Sequence, residues 1–267
     1  MPKSSKPFAS ESELCARFIS VLPPEWTPYN EWGGWDILLV RNSDGFQIGI
    51  EAKLRLNAEV ISQALEEYGS WAADLPGPDC RAVLVPSTEP RGFHRICKYI
   101  GVTVIYCPSE AEVADYFRKY RPNRMKPLSP LLPGDRYGNS DDWYEWAPRS
   151  RIKLPEYVPD VEAGRSAPVQ LTDWKIRAIK ISIILEKRGY LRRSDFKHIN
   201  IDHRRWLPSA NGWLLLGEDK TYRPAPGLPD FRAQHPRVYA EIEADYEKWK
   251  PTEPAESVTS AVQESML

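Results

Sequence analysis

The 267-residue chain lacks most of the features by which a protein class is read at a glance. It has only four cysteines, at positions 15, 80, 97 and 107, and no two are spaced C-x-x-C. That spacing argues against a zinc ribbon or a disulfide scaffold. Buried, reduced thiols are expected instead, and with them a reducing, cytoplasmic compartment. No apolar run approaches about 18 residues, so no membrane span is expected. The opening stretch MPKSSKPFASESE has no apolar core of the kind a secretory signal needs. There is no G-x-x-x-x-G-K-[ST], so no nucleotide cofactor is expected, and no G-x-S-x-G or H-E-x-x-H. His94 and His235 read as structural. Charge of one sign is also missing. The net charge is -1, so any nucleic-acid surface must be local.

What is present is a core. Hydrophobic residues make up 42% of the chain, with 10 Trp and 13 Tyr, enough for one large domain or two ordinary ones. Residues 9 to 120 alternate helix and strand patterns. SESELCARFISVL carries an apolar stripe of Leu14, Cys15, Phe18 and Leu22, and Ser10 with Glu13 forms a capping box. WDILLVRN and FQIGIEAKL read as two strands joined by a turn at Asp44-Gly45, with TPYN upstream as a short extra strand. A helix capped by Asn57 follows, then the strand RAVLVPS, a helix closed by Gly101, the strand VTVIYC and a helix capped by Ser109. This order predicts an α/β sheet with helical cover. Residues 121 to 170 are rich in proline and aromatics. They read as an irregular connector that packs along a domain.

Residues 171 to 250 read as a second, smaller unit, and 251 to 267 as a polar disordered tail. Thr172 caps a helix ended by Gly189; RSDFKHI, opened by Ser194, and IDHRRWLP read as two short helices; GWLLLGEDKTYRP reads as a hairpin. Three short helices before a hairpin suggest a winged-helix-like module. From Asp173 to Arg205 ten basic residues face four acidic ones, a local charge of +6. Such a patch suits phosphate binding. Arg192, Arg193, Lys197, Arg204 and Arg205 surround the two short helices, where a helix-turn-helix reader presents its DNA contacts. A solvated helix face has the same composition. Trp206 and Trp213 read as core.

The chemistry-bearing stretch is GGWDILLVRNSDGFQIGIEAKLRLN. Strand alternation puts Glu51 and Lys53 on one face, about 7 Å apart. If the strands pair through Asp44-Gly45, Asp36 opposes roughly position 53 and the three side chains converge. Two adjacent carboxylates repel, and magnesium resolves that repulsion by taking both as oxygen ligands. The ion also polarises a phosphate and acidifies a water, while an adjacent amine stabilises transition-state charge or orients the water. A half-exposed sheet face would give the same alternation. Here, however, the flanking helices predict a sheet covered on both sides, where charges need partners.

Asp36 followed by Glu51-Ala52-Lys53 resembles the PD-(D/E)XK nuclease superfamily, over roughly residues 9 to 107. Trp35 stands where the motif has proline. The resemblance implies a restriction-endonuclease-like mixed sheet flanked by helices. It also implies a magnesium-dependent deoxyribonuclease, with manganese as a substitute. Asp36 and Glu51 would then be metal ligands and Lys53 a catalytic residue. The family often adds an acid from the first helix; Glu11, on the apolar stripe, fits better than Glu13, which the capping box explains. RecB-like members carry a Q-x-x-x-Y after the E-x-K. Gln63 and Tyr68 stand one residue further apart here, so Gln63 is the site-ordering candidate and Tyr68 reads as core. The expected function is metal-dependent cleavage of DNA with a C-terminal module engaging the duplex, by a monomer or a homodimer. The alternative is a catalytically inactive nuclease fold serving DNA binding or regulation. Restriction, repair and a phage or mobile element are all compatible settings.

Overall fold

The computed structural model describes residues 6–65, 75–89, 92–119, 127–134, 140–164, 171–207 and 212–252. The chain divides into two compact units, Met1–Thr172 and Asp173–Leu267.

In the first unit, helix α1 (Glu11–Ser20) precedes strands β1 (Trp26–Trp32), β2 (Trp35–Arg41) and β3 (Gln47–Ala52). Helix α2 (Ala58–Leu65), β4 (Cys80–Pro86), α3 (His94–Tyr99), β5 (Val102–Cys107) and α4 (Glu110–Lys119) follow. The strands form one five-stranded sheet in the order β1-β2-β3-β4-β5. β1, β2 and β3 pair antiparallel, whereas β3, β4 and β5 pair parallel. The α/β mixed sheet with helical cover is as the sequence predicted. TPYN proves to be part of a full edge strand rather than a short extra one.

Alternation sorts the strand residues onto two cores. Ile37, Leu39, Ile48, Ile50, Ala82 and Leu84 pack with Leu14, Cys15 and Phe18 of α1. Leu38, Val40, Val83, Val85 and Val104 pack with Val60, Ile61 and Ala64 of α2 and Cys97 of α3. The strands are therefore continuous apolar runs, as sheets covered on both faces require. All four cysteines are buried and unpaired. The expected caps are in place. The amide of Glu13 donates to Ser10 Oγ, Val60 to Asn57 Oδ1 and Glu112 to Ser109 Oγ.

The connector belongs to the first unit. Leu128, Leu132 and Trp143 enter the α1-side core. Buried Gln47 donates its side-chain amide to the Ile152 carbonyl at 2.8 Å and accepts the Ile152 amide at 2.9 Å. That pair of bonds ties the connector to β3 as a further strand would, and no periodic pattern in the sequence announces it.

The second unit begins with α5 (Asp173–Arg188), closed by Gly189 at φ 79°. Helix α6 (Arg193–Ile199) and the hairpin β6 (Leu214–Leu216) and β7 (Tyr222–Pro224) follow, then α7 (Phe231–Gln234), α8 (Pro236–Ala244) and α9 (Tyr246–Trp249). Leu191 bridges Tyr222 antiparallel, so the α5–α6 link adds to the hairpin. Two expectations change. The third helix is a single 3-10 turn, His203–Arg205. Ser194 is not the cap of α6, because Arg192 holds that place and the Asp195 carboxylate accepts the Arg192 amide at 2.6 Å. The three C-terminal helices are an addition the sequence patterns did not suggest. The expected tail lies outside the described residues apart from Pro251 and Thr252. Among the described residues no helix is long and apolar enough to cross a membrane.

Asp195 also receives the Arg188 guanidinium, with side-chain exposures of 2% and 18%. This pair fastens α5 to α6. Removing one partner strands a largely desolvated charge. Asp195→Asn is expected to lower unfolding stability by roughly 2–3 kcal/mol, discounted for the partial exposure of Arg188. Chemical denaturation midpoints at constant slope would check it.

Candidate active site

The hairpin between β2 and β3 sets the site. Asp44 accepts two bonds from the Arg41 guanidinium, at 2.9 and 2.7 Å, and one from the Phe46 amide at 3.1 Å. The Arg41 amide donates to the Phe46 carbonyl at 2.9 Å, so the loop runs from Asn42 to Gly45. The register that follows is Ile37↔Ile50 and Leu38↔Gly49. Continued by one residue, it sets Asp36 level with Glu51, not with position 53 as a turn centred on Asp44-Gly45 would give. That is a two-residue correction, and its cause is the Arg41–Asp44 pairing.

A second irregularity aims Asp36. The β1–β2 ladder passes from Asn30↔Ile37 to Trp32↔Trp35, skipping Glu31 and Asp36. Glu31 takes the left-handed backbone at φ 52°, unusual for a residue with a Cβ. Trp35 lies over Gly49 on the α2-side core, where a Cβ on Gly49 would come within 2.3 Å of its ring. Alternation is thus broken between Trp35 and Ile37. The carboxylate of Asp36 turns onto β3 and accepts the Ala52 amide at 2.8 Å. Ala52 is the middle residue of Glu51-Ala52-Lys53.

Lys53 follows the end of β3, and its amide donates to the Leu84 carbonyl at 3.0 Å. Its Nζ donates to Glu11 Oε2 at 3.2 Å, both side chains being about a quarter to a third exposed. The structure therefore gathers Glu11, Asp36 and Lys53 from α1, β2 and the end of β3. Glu51 is buried in β3, one residue before the amide that Asp36 holds. Gln63 lies on α2, which packs on β3 and β4, and its Oε1 is buried with no hydrogen-bond partner among the described residues. Tyr68 lies outside the described residues.

The electrostatics of these groups are coupled. Burial pushes the Asp36 carboxyl above its ordinary range and Glu11 adds to this, against the Ala52 amide and Lys53. Burial works to lower Lys53, but its hydrogen bond to Glu11 and the charges of Glu11, Asp36 and Glu59 outweigh it, leaving its pKa raised. Burial pushes the Cys15 thiol up, with Asp36, Glu31 and Glu11 acting in the same direction, so Cys15 remains a neutral thiol under this acidic group. Glu31 is an acid that no motif singles out, and its charge reaches Cys15 as those of Asp36 and Glu11 do. It stands on the strand read only as TPYN, and it accepts the Gly164 amide at 2.8 Å. A cleft of about 470 Å³ opens beside it, walled by Trp32, Ile152 and Leu171.

The donors suit a hard divalent cation, since carboxylate and amide oxygens are its natural ligands. Among the described residues, however, no group of three or more His, Cys, Asp or Glu is arranged to hold a metal ion. Magnesium needs fewer, usually taking one or two carboxylates and keeping several waters. Asp36 and Glu51 are two carboxylates that the register sets level on neighbouring strands.

In the second unit, Arg193, Lys197 and Arg205 are exposed and have no acidic partner among the described residues. Arg192 lies against the Tyr190 ring, 5.5 Å from its centroid. Arg204 is held by Asp202 at 3.1 Å. Comparison with protein-family models, curated proteins and solved structures finds no match to this chain.

A raised carboxyl pKa has a definite consequence for stability. Asp36 binds its proton more tightly folded than unfolded, so its contribution to stability is full below the ordinary carboxylate range. It is lost as pH rises through the raised value. Asp36→Asn keeps an acceptor for the Ala52 amide and removes the charge. It is expected to raise the melting temperature at neutral pH, with the gain shrinking towards acid. Thermal melts of both proteins across pH 3 to 8, roughly the span of shifted carboxyls, would show it.

Proposed function

We propose that the first unit is a metal-dependent deoxyribonuclease of the PD-(D/E)XK, restriction-endonuclease-like kind, and that the second is a winged-helix-like module that engages DNA. The observation that carries this reading is the 2.8 Å hydrogen bond from the Ala52 amide to Asp36. It holds the isolated acid of β2 against the backbone of the Glu-Ala-Lys tripeptide, which supports a site built from both. Asp36 and Glu51 hold magnesium, or manganese in its place, and Glu11 is the third acid. When bound, the ion supplies Lewis-acid polarisation of a phosphodiester and an acidified water. Lys53 stabilises the charge that develops on the phosphate oxygens. Its ion pair with Glu11 holds the ammonium beside Asp36 before substrate arrives. Gln63 orders the site from α2. The Leu191–Tyr222 bridge, the hairpin and the basic flank of α6 support the DNA-binding reading of the second unit.

A second reading is favoured by the same ion pair and by the absence, among the described residues, of a three-acid group. In it, Lys53 and Glu11 simply neutralise each other inside a scaffold, and the basic module carries a DNA-binding or regulatory function.

Cleavage of supercoiled and linear DNA with magnesium, manganese or EDTA separates the two. Under the nuclease reading the wild type cuts only with metal, and Glu51→Ala and Lys53→Ala each reduce the rate by about 10²-fold or more. Under the scaffold reading Lys53→Ala changes neither cutting nor DNA affinity.

A further inference from the structure

Most basic side chains of the second unit already have a partner. Arg188 pairs with Asp195, Lys187 with Glu243, Arg204 with Asp202, Arg223 with Asp219, Arg232 with Glu186 and Lys248 with Asp245. Arg177 donates to the Asn200 carbonyl. Arg193 and Lys197 stand apart from this pattern. They lie one turn apart on the same face of α6, exposed and without an acidic partner among the described residues.

Between that face and the 3-10 turn lies a cleft of about 510 Å³, lined by Arg193, Ser194, Phe196, Lys197, Ile201 and His203. Its floor is apolar, formed by the buried Phe196 and Ile201. Phe196 is held in place by edge contacts with Trp206 and Tyr222, at centroid distances of 5.9 and 5.7 Å. Its rim carries two cations, a hydroxyl and an imidazole. No acid lines it. The nearby acids are engaged elsewhere, Asp195 with Arg188 and Asp202 with Arg204.

A bare anion would use the rim and leave the floor wet, and an apolar ligand would leave the cations unanswered. The volume falls within the roughly 300–1,000 Å³ of small-molecule sites. We infer that this cleft seats one nucleotide unit, with its phosphate between Arg193 and Lys197 and its base on Phe196 and Ile201. The inference rests on the DNA-binding reading of the second unit and narrows it to a single nucleotide. The unit has two sources, the 5′-terminal nucleotide of a DNA strand and a free nucleotide.

The test is calorimetric titration of the full chain with deoxyadenosine 5′-monophosphate, deoxyadenosine and inorganic phosphate. Wild type is compared with the double variant Arg193→Gln/Lys197→Gln. Both positions are exposed, and matching melting temperatures would confirm that the variant folds. The expected result is saturable binding of the monophosphate, at least about tenfold weaker in the variant and tenfold weaker for deoxyadenosine. Equal affinity in wild type and variant overturns the inference. So does phosphate binding as tightly as the monophosphate, which would mark a site for anions alone. Tighter binding of a 5′-phosphorylated oligonucleotide than of its 5′-hydroxyl twin, with competition by the monophosphate, assigns the cleft to strand ends. Monophosphate binding without such competition assigns it to free nucleotide. Plasmid cleavage in the same preparation keeps the two proposals apart. Binding without cutting removes the nuclease reading alone; cutting with variant-insensitive binding removes the cleft alone.

Discussion

The first unit depends on the burial of β3. All six of its residues are buried, and it is the strand at which the sheet changes from antiparallel to parallel pairing. Both cores meet across it, Ile48 and Ile50 on one face and the Trp35–Gly49 contact on the other. A strand so placed fixes whatever follows it. The Glu51-Ala52-Lys53 run has little freedom to rotate, because its amides are engaged by Asp36 on one side and by Leu84 on the other. That rigidity fixes the geometry of the run before any ligand is bound.

The polar groups at this end of the sheet form a balanced set. Asp36 resists ionisation through burial and through the charge of Glu11, against the Ala52 amide and Lys53, and Lys53 holds its proton through its bond to Glu11 and the charge of Asp36. Asp36 and Lys53 each feel the other's charge, so a change at one moves the titration of the other. Cys15 beneath them is pushed the same way by burial and by the surrounding acids, which makes it an inert floor rather than a nucleophile.

Much of this was legible in the sequence because it rests on short-range rules. Ser10, Asn57 and Ser109 act as caps through contacts three residues away. The apolar runs of β2 to β5 declare a sheet covered on both sides. The chain divides into two compact units after Thr172. The parts not legible depend on particular side-chain geometry. The β2–β3 register turned on the clasp of Asp44 by Arg41, and the composition of the loop does not reveal it. Glu31 escaped notice because its importance comes from a break in strand pairing, not from a motif. The 3-10 turn at His203–Arg205 was read as a helix, because three polar residues beside a tryptophan carry no periodicity. Whether the basic residues of the second unit are open to a ligand required their acidic neighbours to be located first.

The connector has a consequence for the order in which the chain can fold. Asn30 binds the Val161 carbonyl across 131 positions, and Glu31 receives Gly164 across 133. Leu128, Leu132 and Trp143 complete a core whose helix and strands were all laid down before them. During synthesis the sheet emerges first, with one face incompletely covered, and such long-range closures are slow to form. The acidic end of the sheet is finished by a segment that lies late in the chain. In this protein a stretch resembling a linker acts as the closing strap of the domain before it.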